Sequence, residues 1–215
     1  MAGHKHIRPA ALALAAALTV AGPALAADTA PAAKAPPANL QGLQEVGHSA
    51  LDSVHIRPGV NLATYKAVRI EPVQVALAGD RNRPEPQERD VRHARTYFQE
   101  KLAQALGGRA TNQAGPGTLS VAVTVTRFVP NRPAFPEDRD GRWITESVGV
   151  GAAAFTAEVK DAATGQVVAV ISDADVGLPL DSNMRTLTEW GDADHFVRKW
   201  SQQLAAILTG APSGS

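Results

Sequence analysis

The sequence predicts an α+β fold, with an antiparallel or mixed β-sheet of about five strands and two main helices packed on one face. Short runs of residues alternate between apolar and polar side chains, which is typical of half-buried strands. Two longer segments repeat apolar residues at three- and four-residue steps, which is typical of amphipathic helices. The predicted order is strand, strand, helix, strand, strand, strand, helix, and runs of strands with few helices favour this class.

Residues 1–26 have the composition of a secretory signal peptide. A short basic start precedes an apolar stretch from about residue 10 to residue 21, and Ala24-Leu25-Ala26 supplies the small-x-small pattern of a cleavage site. The alternative is a transmembrane anchor, but the apolar stretch is too short to span a bilayer comfortably. We therefore expect cleavage after Ala26 and delivery to a bacterial periplasm.

The remainder of the chain divides by composition into a linker, one domain and a tail. Residues 27–40 are rich in alanine and proline and are expected to form an extended linker. Residues 41–210 are expected to form a single α+β domain, because roughly 170 residues suffice for one hydrophobic core. Residues 211–215 are small and polar, so we expect them to form a flexible tail.

Charge and cysteine content exclude several classes of function. The chain of 215 residues has 21 Lys and Arg against 21 Asp and Glu, so it lacks the basic excess of a nucleic-acid-binding protein. It has no cysteine, which excludes thiol catalysis, disulfides, thiolate metal sites and lipid attachment at a cysteine. We therefore expect a periplasmic protein that is not a lipoprotein, with no transmembrane segment in the mature chain and no nucleic-acid partner.

The first two strands are a short one at 54–56 and a longer one within 65–77. In the longer segment Val68 and Ile70 occupy one face, and the alternation resumes on the opposite parity after Pro72. Because proline cannot donate to the hydrogen bonds of a sheet, we expect this strand either to bulge at Pro72 or to lie at an edge of the sheet. The change of parity is what a one-residue bulge would produce.

Two amphipathic helices are expected to pack on the sheet. The first follows a proline-bearing loop at 79–86 and ends at Gly107-Gly108. Its apolar stripe consists of Val91, Ala94, Phe98, Leu102 and Ala105. The second starts with Asp192 as its N-cap and ends before Gly210. Its stripe consists of Ala193, Phe196, Val197, Trp200, Leu204, Ile207 and Leu208.

Three further strands lie between the helices. Residues 118–129 form the clearest strand in the chain, because apolar and small or polar residues alternate from Leu119 to Thr126. Residues 154–160 and 167–171 are the other two. Residues 161–165 between them have the composition of a hairpin turn, in which Gly165 is free to take a positive φ.

Several passages together resemble the bacterial domain-of-unknown-function family 3313, over about residues 43–208. These passages are Leu51–Val60, Leu62, Tyr65-Lys66, Ile70–Val73, Ala157–Asp161, Thr164-Gly165 and Trp200. The resemblance implies a secreted cell-envelope domain of α/β type with no established activity and no catalytic residues to transfer. The sequence departs from the family in two ways: it lacks the lipoprotein cysteine, and His55 stands where an aromatic residue is usual.

A glycine motif could indicate a dinucleotide site. Gly149-Val150-Gly151 with Ala154 fits G-x-G-x-x-A, and Asp173 follows about twenty residues later. A dinucleotide site needs those glycines between a strand and a helix. The alternation from Phe155 to Lys160 favours a strand instead, so we expect the glycines to serve a bulge or close packing.

Two acidic segments could indicate metal binding. Asp192, Asp194 and His195 carry suitable ligand atoms, but neighbouring residues of a helix point in different directions. Acids in a first turn are also expected from capping and the helix dipole. Residues 137–141 contain D-x-D-G, a fragment of a calcium loop without most of its ligands. We therefore expect no metal ion and no cofactor.

The long loop at 130–147, together with Arg127 near the end of the preceding strand, is the best candidate for a binding site. The candidate residues are Arg127, Arg132, Arg139, Arg142 and Trp143. Arginine and tryptophan are over-represented at binding hot spots, and loops of this length are often functional.

The sequence therefore favours a non-catalytic, envelope-associated binding module, with another envelope protein or a cell-wall component as its partner. The alternative is a small periplasmic hydrolase whose acid and base residues the sequence does not identify. His93 and His195 could serve as bases only if the fold brings an acid and a nucleophile beside them. A deep pocket gathering either histidine with two carboxylates would favour the hydrolase.

Overall fold

The computed structural model describes residues 40–48, 50–77, 87–134, 146–149, 151–178 and 188–210. Within these ranges the strands are β1 Gln44–Glu45, β2 Ser53–Ile56, β3 Ala67–Ile70, β4 Gln74–Val75, β5 Ala110–Thr111, β6 Thr118–Val129, β7 Arg132–Ala134, β8 Glu146–Gly149, β9 Ala152–Asp161 and β10 Val167–Val176. The helices are α1 Glu88–Leu106 and α2 Gly191–Thr209. Neither helix combines the length and apolarity that a bilayer crossing needs.

Eight of these strands form one mixed sheet in the order β1-β2-β10-β9-β6-β3-β5, with β4 also paired to β6. Strands β3 and β4 run parallel to β6, whereas β9, β10, β2 and β1 follow in antiparallel order. The predicted α+β class is therefore confirmed. The sheet exceeds five strands because β1, β4 and β5 have two residues each, which is too short for an alternating pattern.

The predicted bulge separates β3 from β4. Ile70 pairs with Val121 and Gln74 pairs with Thr124, so four steps on one strand oppose three on the other. The extra residue lies in the stretch that contains Pro72. Because the bulge shifts the parity, Val68 before it and Val73 after it both reach the core.

Both helices cover the same face of the sheet, where three aromatic rings meet. Phe155 of β9 lies 5.5 Å from Phe98 of α1 and 4.9 Å from Trp200 of α2, between ring centroids. All three side chains are fully buried. Burying one large apolar side chain is worth roughly 1.5–3 kcal/mol, so this cluster is a major source of the packing energy.

The predicted stripes are confirmed except at three positions, the first of which is Val91 of α1, which is half-buried. In α1 the buried residues continue in four-residue steps from Ala94 to Leu106, and Ala105 is exposed. In α2 the stripe is buried apart from Ile207, which is half-buried. The buried position that follows Leu102 on this face of α1 is occupied by Leu106, four residues later, and Ala105 lies on the exposed side.

The two helices run parallel, side by side. His93 pairs with Asp194, and four residues later Tyr97 pairs with Arg198, with the same separation of 101 residues in both pairs. The positive ends of both helix dipoles therefore lie at one end of the molecule. Acidic residues in the first turns compensate them: Glu88, Asp90, Asp192 and Asp194.

The prediction of one continuous loop at 130–147 is wrong at its ends. Strands β7 and β8 pair antiparallel in a second, two-stranded sheet, with Ala134 opposite Glu146. The proline and charged residues of this segment mask the pairing in the sequence. Residues 135–145 between the strands lie outside the described residues.

Candidate functional site

Three rings stack where the first turns of the parallel helices meet. The His93 ring stacks with Trp190 at a centroid distance of 4.0 Å and with Tyr97 at 5.4 Å. Phe128 of β6 supports the same imidazole at 5.9 Å in a tilted arrangement. We call Trp190, His93 and Tyr97 the ring stack. It joins α1, α2 and the end of β6.

A hydrogen bond to Asp194 holds the imidazole in place. His93 Nε2 lies 2.8 Å from Asp194 Oδ1, and both side chains are about three-quarters shielded, at 24% and 22% exposure. Burial raises the pKa of the Asp194 carboxyl, and the adjacent His93 opposes the rise. Such a pair can orient a general base, but it also joins two helices.

The second carboxylate at this end is not directed at His93. Asp90 Oδ1 accepts a hydrogen bond from Trp190 Nε1 at 3.3 Å, and Oδ2 accepts one from the Gln87 amide at 3.3 Å. Asp90 is 5% exposed. It therefore caps α1 and positions the indole, and does not form a histidine–dicarboxylate site.

A groove continues from the ring stack along the seam between the helices. This helix groove has a volume of about 230 Å³ and is lined by Lys101, Gln104, Ala105, Arg198 and Gln202. Arg198 Nη1 donates to the Tyr97 hydroxyl at 3.2 Å, and Lys101 Nζ lies 5.2 Å from the centre of the same ring. The groove can therefore offer two cations and two amides to a ligand.

The arginine-rich candidate residues occupy different places. Arg127 pairs with Ala154 in the sheet, on the face opposite the helices, while the next residue, Phe128, is in the core. Arg132 begins β7. Arg139, Arg142 and Trp143 lie outside the described residues. Their grouping into one binding site therefore stays a prediction.

Residues 127–143, which we call the arginine-rich segment, are hydrogen-bonded near their start to the residues that precede α2. The Asn131 amide donates to the Glu189 carbonyl at 2.6 Å, and its side-chain Nδ2 donates to the Thr188 carbonyl at 2.8 Å. Trp190 of the ring stack follows directly after Glu189. The arginine-rich segment therefore leaves the sheet beside the ring stack, at the same end of the molecule.

The glycine motif serves close packing. Residues 152–161 form a strand, and the Gly151 amide donates to Asp192 Oδ2 at 3.3 Å. A Cβ at Gly151 would lie 2.2 Å from Asn131 Oδ1, and one at Gly177 would lie 2.2 Å from Asp192 Oδ2. The absence of these side chains lets the fully buried Asp192 carboxylate approach the ends of β9 and β10.

The acidic start of α2 is likewise explained by packing. Asp192 is the second helical residue, not the N-cap, because Trp190 precedes the helix as its cap. Asp192 is directed at Gly151, whereas Asp194 is directed at His93. The His195 ring meets the edge of Phe196 at 5.8 Å. These three side chains diverge, as neighbouring helix positions must.

A pair of carboxyl groups that the sequence does not predict links the residue before β2 to β10. The Asp52 amide donates to Asp173 Oδ1 at 3.3 Å, and the Ala174 amide donates to Asp52 Oδ2 at 3.2 Å. Burial, with Asp175 and Asp52 nearby, raises the pKa of Asp173 to about 6. Lys199 Nζ lies 3.4 Å from Asp175. The signal in the sequence is parity, since Asp173 shares its face with the buried Ile171.

Fold and site together define a small α+β domain with a polar groove between two parallel helices. The chain belongs to the family of proteins of unknown function DUF3313, whose sequence profile matches residues 35–204. The resemblance seen in the sequence is thereby confirmed. A search of curated proteins found no match.

A search of solved structures found matches of low sequence identity and low TM-score. A PelC dodecamer from Paraburkholderia phytofirmans has 14% identity and a TM-score of 0.38, covering 69% of this chain and 96% of its own. A DUF330 protein from Xanthomonas campestris has 14% identity and a TM-score of 0.39, covering 67% and 85%. A minor lipoprotein from Acinetobacter baumannii has 12% identity and a TM-score of 0.29, covering 68% and 94%. Such TM-scores carry no information about the function of this chain.

Proposed function

We propose that this chain is an exported, periplasmic domain that binds another envelope component and performs no catalysis. The observation that carries the proposal is a juxtaposition at one end of the molecule. Asn131 is hydrogen-bonded to Thr188 and Glu189, so the arginine-rich segment begins beside the ring stack.

The chemistry of this end suits a protein or cell-wall partner. Arginine combines charge with a planar group that can stack, and tryptophan supplies a large rigid contact area. The segment from Arg127 to Trp143 contains four arginines and a tryptophan. Its base is held by the paired strands β7 and β8. A segment attached at both ends loses less entropy on binding than a free tail.

Export is supported by the composition of residues 1–26 and by the alanine- and proline-rich stretch after them. Mass spectrometry of the protein from fractionated cells tests this part of the proposal. We expect a mature chain that begins at Ala27 in the periplasmic fraction. An unprocessed chain in the cytoplasmic fraction would contradict it.

Site-specific crosslinking tests the binding part. A photoreactive residue at Asp138 should capture a reproducible envelope partner, and one at the exposed Gln113 should not. The double variant R139A/R142A should lose the crosslink. R92A/R95A removes the same charge from exposed positions of α1 and is the matched control. A crosslink that survives R139A/R142A, or no partner at all, would contradict the proposal.

A small periplasmic hydrolase is the second candidate. Among the described residues it rests on the His93–Asp194 pair alone, because the second carboxylate, Asp90, is not directed at His93. In that function His93 would activate a serine nucleophile while Asp194 orients the imidazole. A fluorophosphonate probe, which labels activated serines, distinguishes the two functions. A binding module should stay unlabelled, whereas labelling that disappears in H93A would establish the hydrolase.

A further inference from the structure

The helix groove has an arrangement of charge that its structural role does not require. Lys101 and Arg198 come from different helices, and both contact Tyr97, one over the ring and one at the hydroxyl. Two cations held near one ring repel each other. An anion placed between them would relieve that repulsion.

Neighbouring acids do not neutralise these cations directly. Among the described residues neither Lys101 nor Arg198 forms an ion pair, and no acid lines the groove. The charges of Lys101 and Arg198 act to lower the pKa of Asp194, but its carboxylate is hydrogen-bonded to His93. Glu100 is next to Lys101 in the chain, but successive helix positions point in different directions.

Hydrogen-bond donors remain available to a ligand. Arg198 has five N–H donors and uses Nη1 on Tyr97, and Lys101 has three and uses one on Gln104 Oε1 at 3.1 Å. Gln104 and Gln202 are exposed and line the same groove. An amide side chain both donates and accepts, which matches a sugar hydroxyl.

Size and lining select among anionic ligands. The groove volume of about 230 Å³ is below the range of about 300–1,000 Å³ for drug-sized ligands, so it suits one sugar ring. Ala105 is its one apolar lining residue. A lipid surface would instead require exposed apolar side chains to enter the bilayer.

We propose that the helix groove binds an acidic saccharide, with one carboxylate or phosphate between Lys101 and Arg198 and the hydroxyls of the same sugar on Gln104 and Gln202. This site stands on residues that the arginine-rich segment does not share. It can therefore hold if the proposed partner binding at that segment fails, and it can fail if that binding holds.

The test titrates the full mature chain with trigalacturonate and follows the backbone amide resonances of the two helices by NMR. Maltotriose, which has the same ring number and no charge, is the neutral probe. We expect shifts at Lys101, Gln104 and Gln202 with trigalacturonate alone, and weaker binding at high salt. Glucose 6-phosphate is the probe that carries a phosphate in place of a carboxylate. Equal shifts with trigalacturonate and maltotriose would overturn the proposal. Shifts with neither trigalacturonate nor glucose 6-phosphate would also overturn it.

Variants locate the site. K101Q and R198Q should each weaken trigalacturonate binding about tenfold, because each removes a charged hydrogen-bond donor. R95Q makes the same charge change at an exposed position of α1 outside the groove lining and should bind like the wild type. Y97F preserves the ring and releases Arg198, so it should bind more weakly while remaining folded.

Two further outcomes decide against the proposal. An R95Q loss equal to that of K101Q would show charge attraction without a site. Binding to vesicles of anionic phospholipid, together with no binding to trigalacturonate or glucose 6-phosphate, would assign the groove to a membrane surface instead.

Discussion

His93 Nε2 and Asp194 Oδ1 lie 2.8 Å apart although 101 residues separate them in the chain. The same separation recurs one turn later, where Arg198 donates to the Tyr97 hydroxyl. Equal offsets at successive turns mean that α1 and α2 run parallel in register. The seam between them therefore carries a repeating set of polar and aromatic pairs above the apolar core.

We predict that H93A lowers the free energy of unfolding by about 1–3 kcal/mol. The variant loses stacking with Trp190 and Tyr97, and aromatic pairs are worth about 0.5–1.5 kcal/mol each. It also loses the hydrogen bond between His93 and Asp194. Urea unfolding measures the change. R92A, at the exposed neighbouring position, should stay within about 0.5 kcal/mol of the wild type, and an equal loss in R92A would contradict the role of the ring stack.

Asp173 makes stability depend on pH in an unusual direction. Its pKa is raised to about 6 from 3.8, so the folded protein holds a proton that the unfolded chain has already lost between these values. Its favourable contribution is complete below about pH 4 and is lost as pH rises through about 6. We predict a loss on the order of 2–3 kcal/mol across this window.

The variant D173N isolates this effect. It cannot ionise, so its stability should change less between pH 4 and 7 than that of the wild type. At pH 7 it should be the more stable of the two, because the wild type then carries a charge beside Asp52 and Asp175. Chemical unfolding at several pH values measures both. Parallel pH profiles of the two proteins would show that Asp173 titrates normally.

We predict that G177A lowers the free energy of unfolding by at least about 2 kcal/mol, the scale of an overpacked core. The new methyl group would lie 2.2 Å from Asp192 Oδ2. The double variant G177A/D192A should recover part of the loss, and a thermodynamic cycle measures that coupling. G108A adds a methyl group where nothing lies within 4 Å, so it is the matched control. Additive losses in the cycle would contradict the clash.

The hairpin between β9 and β10 depends on Asp161. Its Oδ1 accepts from the amides of Ala163 and Thr164, and its Oδ2 accepts from the Tyr65 hydroxyl. The hydrogen bond from the Thr164 amide lowers the pKa of Asp161 most, and the hydrogen bond from the Tyr65 hydroxyl lowers it further. We predict that D161A destabilises the protein by about 0.5–1.5 kcal/mol. Because the pKa is lowered, the difference from the wild type should shrink as pH falls below about 4.

Y65F is the comparison for that measurement. It removes one of the hydrogen bonds to Asp161 and leaves the turn amides in place. Its loss of stability at neutral pH should therefore be smaller than that of D161A. A larger loss in Y65F would place the main contribution at Tyr65, away from the turn.

Strands and helices with clear periodicity were predictable. Residues 118–129 form β6 with the predicted bounds, and their alternation is regular up to Val125, after which the register shifts. The α2 stripe was likewise readable, because its apolar residues repeat at helical steps. Strands of two residues were not, because two residues are too few to show a period. The strand β5 in addition gains its hydrogen bonds from β3, which is distant in the chain. Strands β7 and β8 were not predictable either, because they are short and lie in a segment that contains prolines.

The candidate site was predictable only in part. The sequence indicates His93 as a possible base, but it holds no sign that Asp194 is its partner. The helix groove was not predictable from the sequence, because Lys101 and Arg198 belong to helices that are far apart in the chain. Distances between such residues depend on how the helices dock.

The sequence by itself determined the class of fold, the two apolar stripes, the bulge at Pro72 and the hairpin turn at Gly165. These features follow from local periodicity and from backbone preferences of single residues. The parallel register of α1 and α2, the burial of Asp192 against Gly151 and the pairing of Asp52 with Asp173 were decided by tertiary structure. Each depends on which surfaces exclude water together, and that is a property of the packed chain.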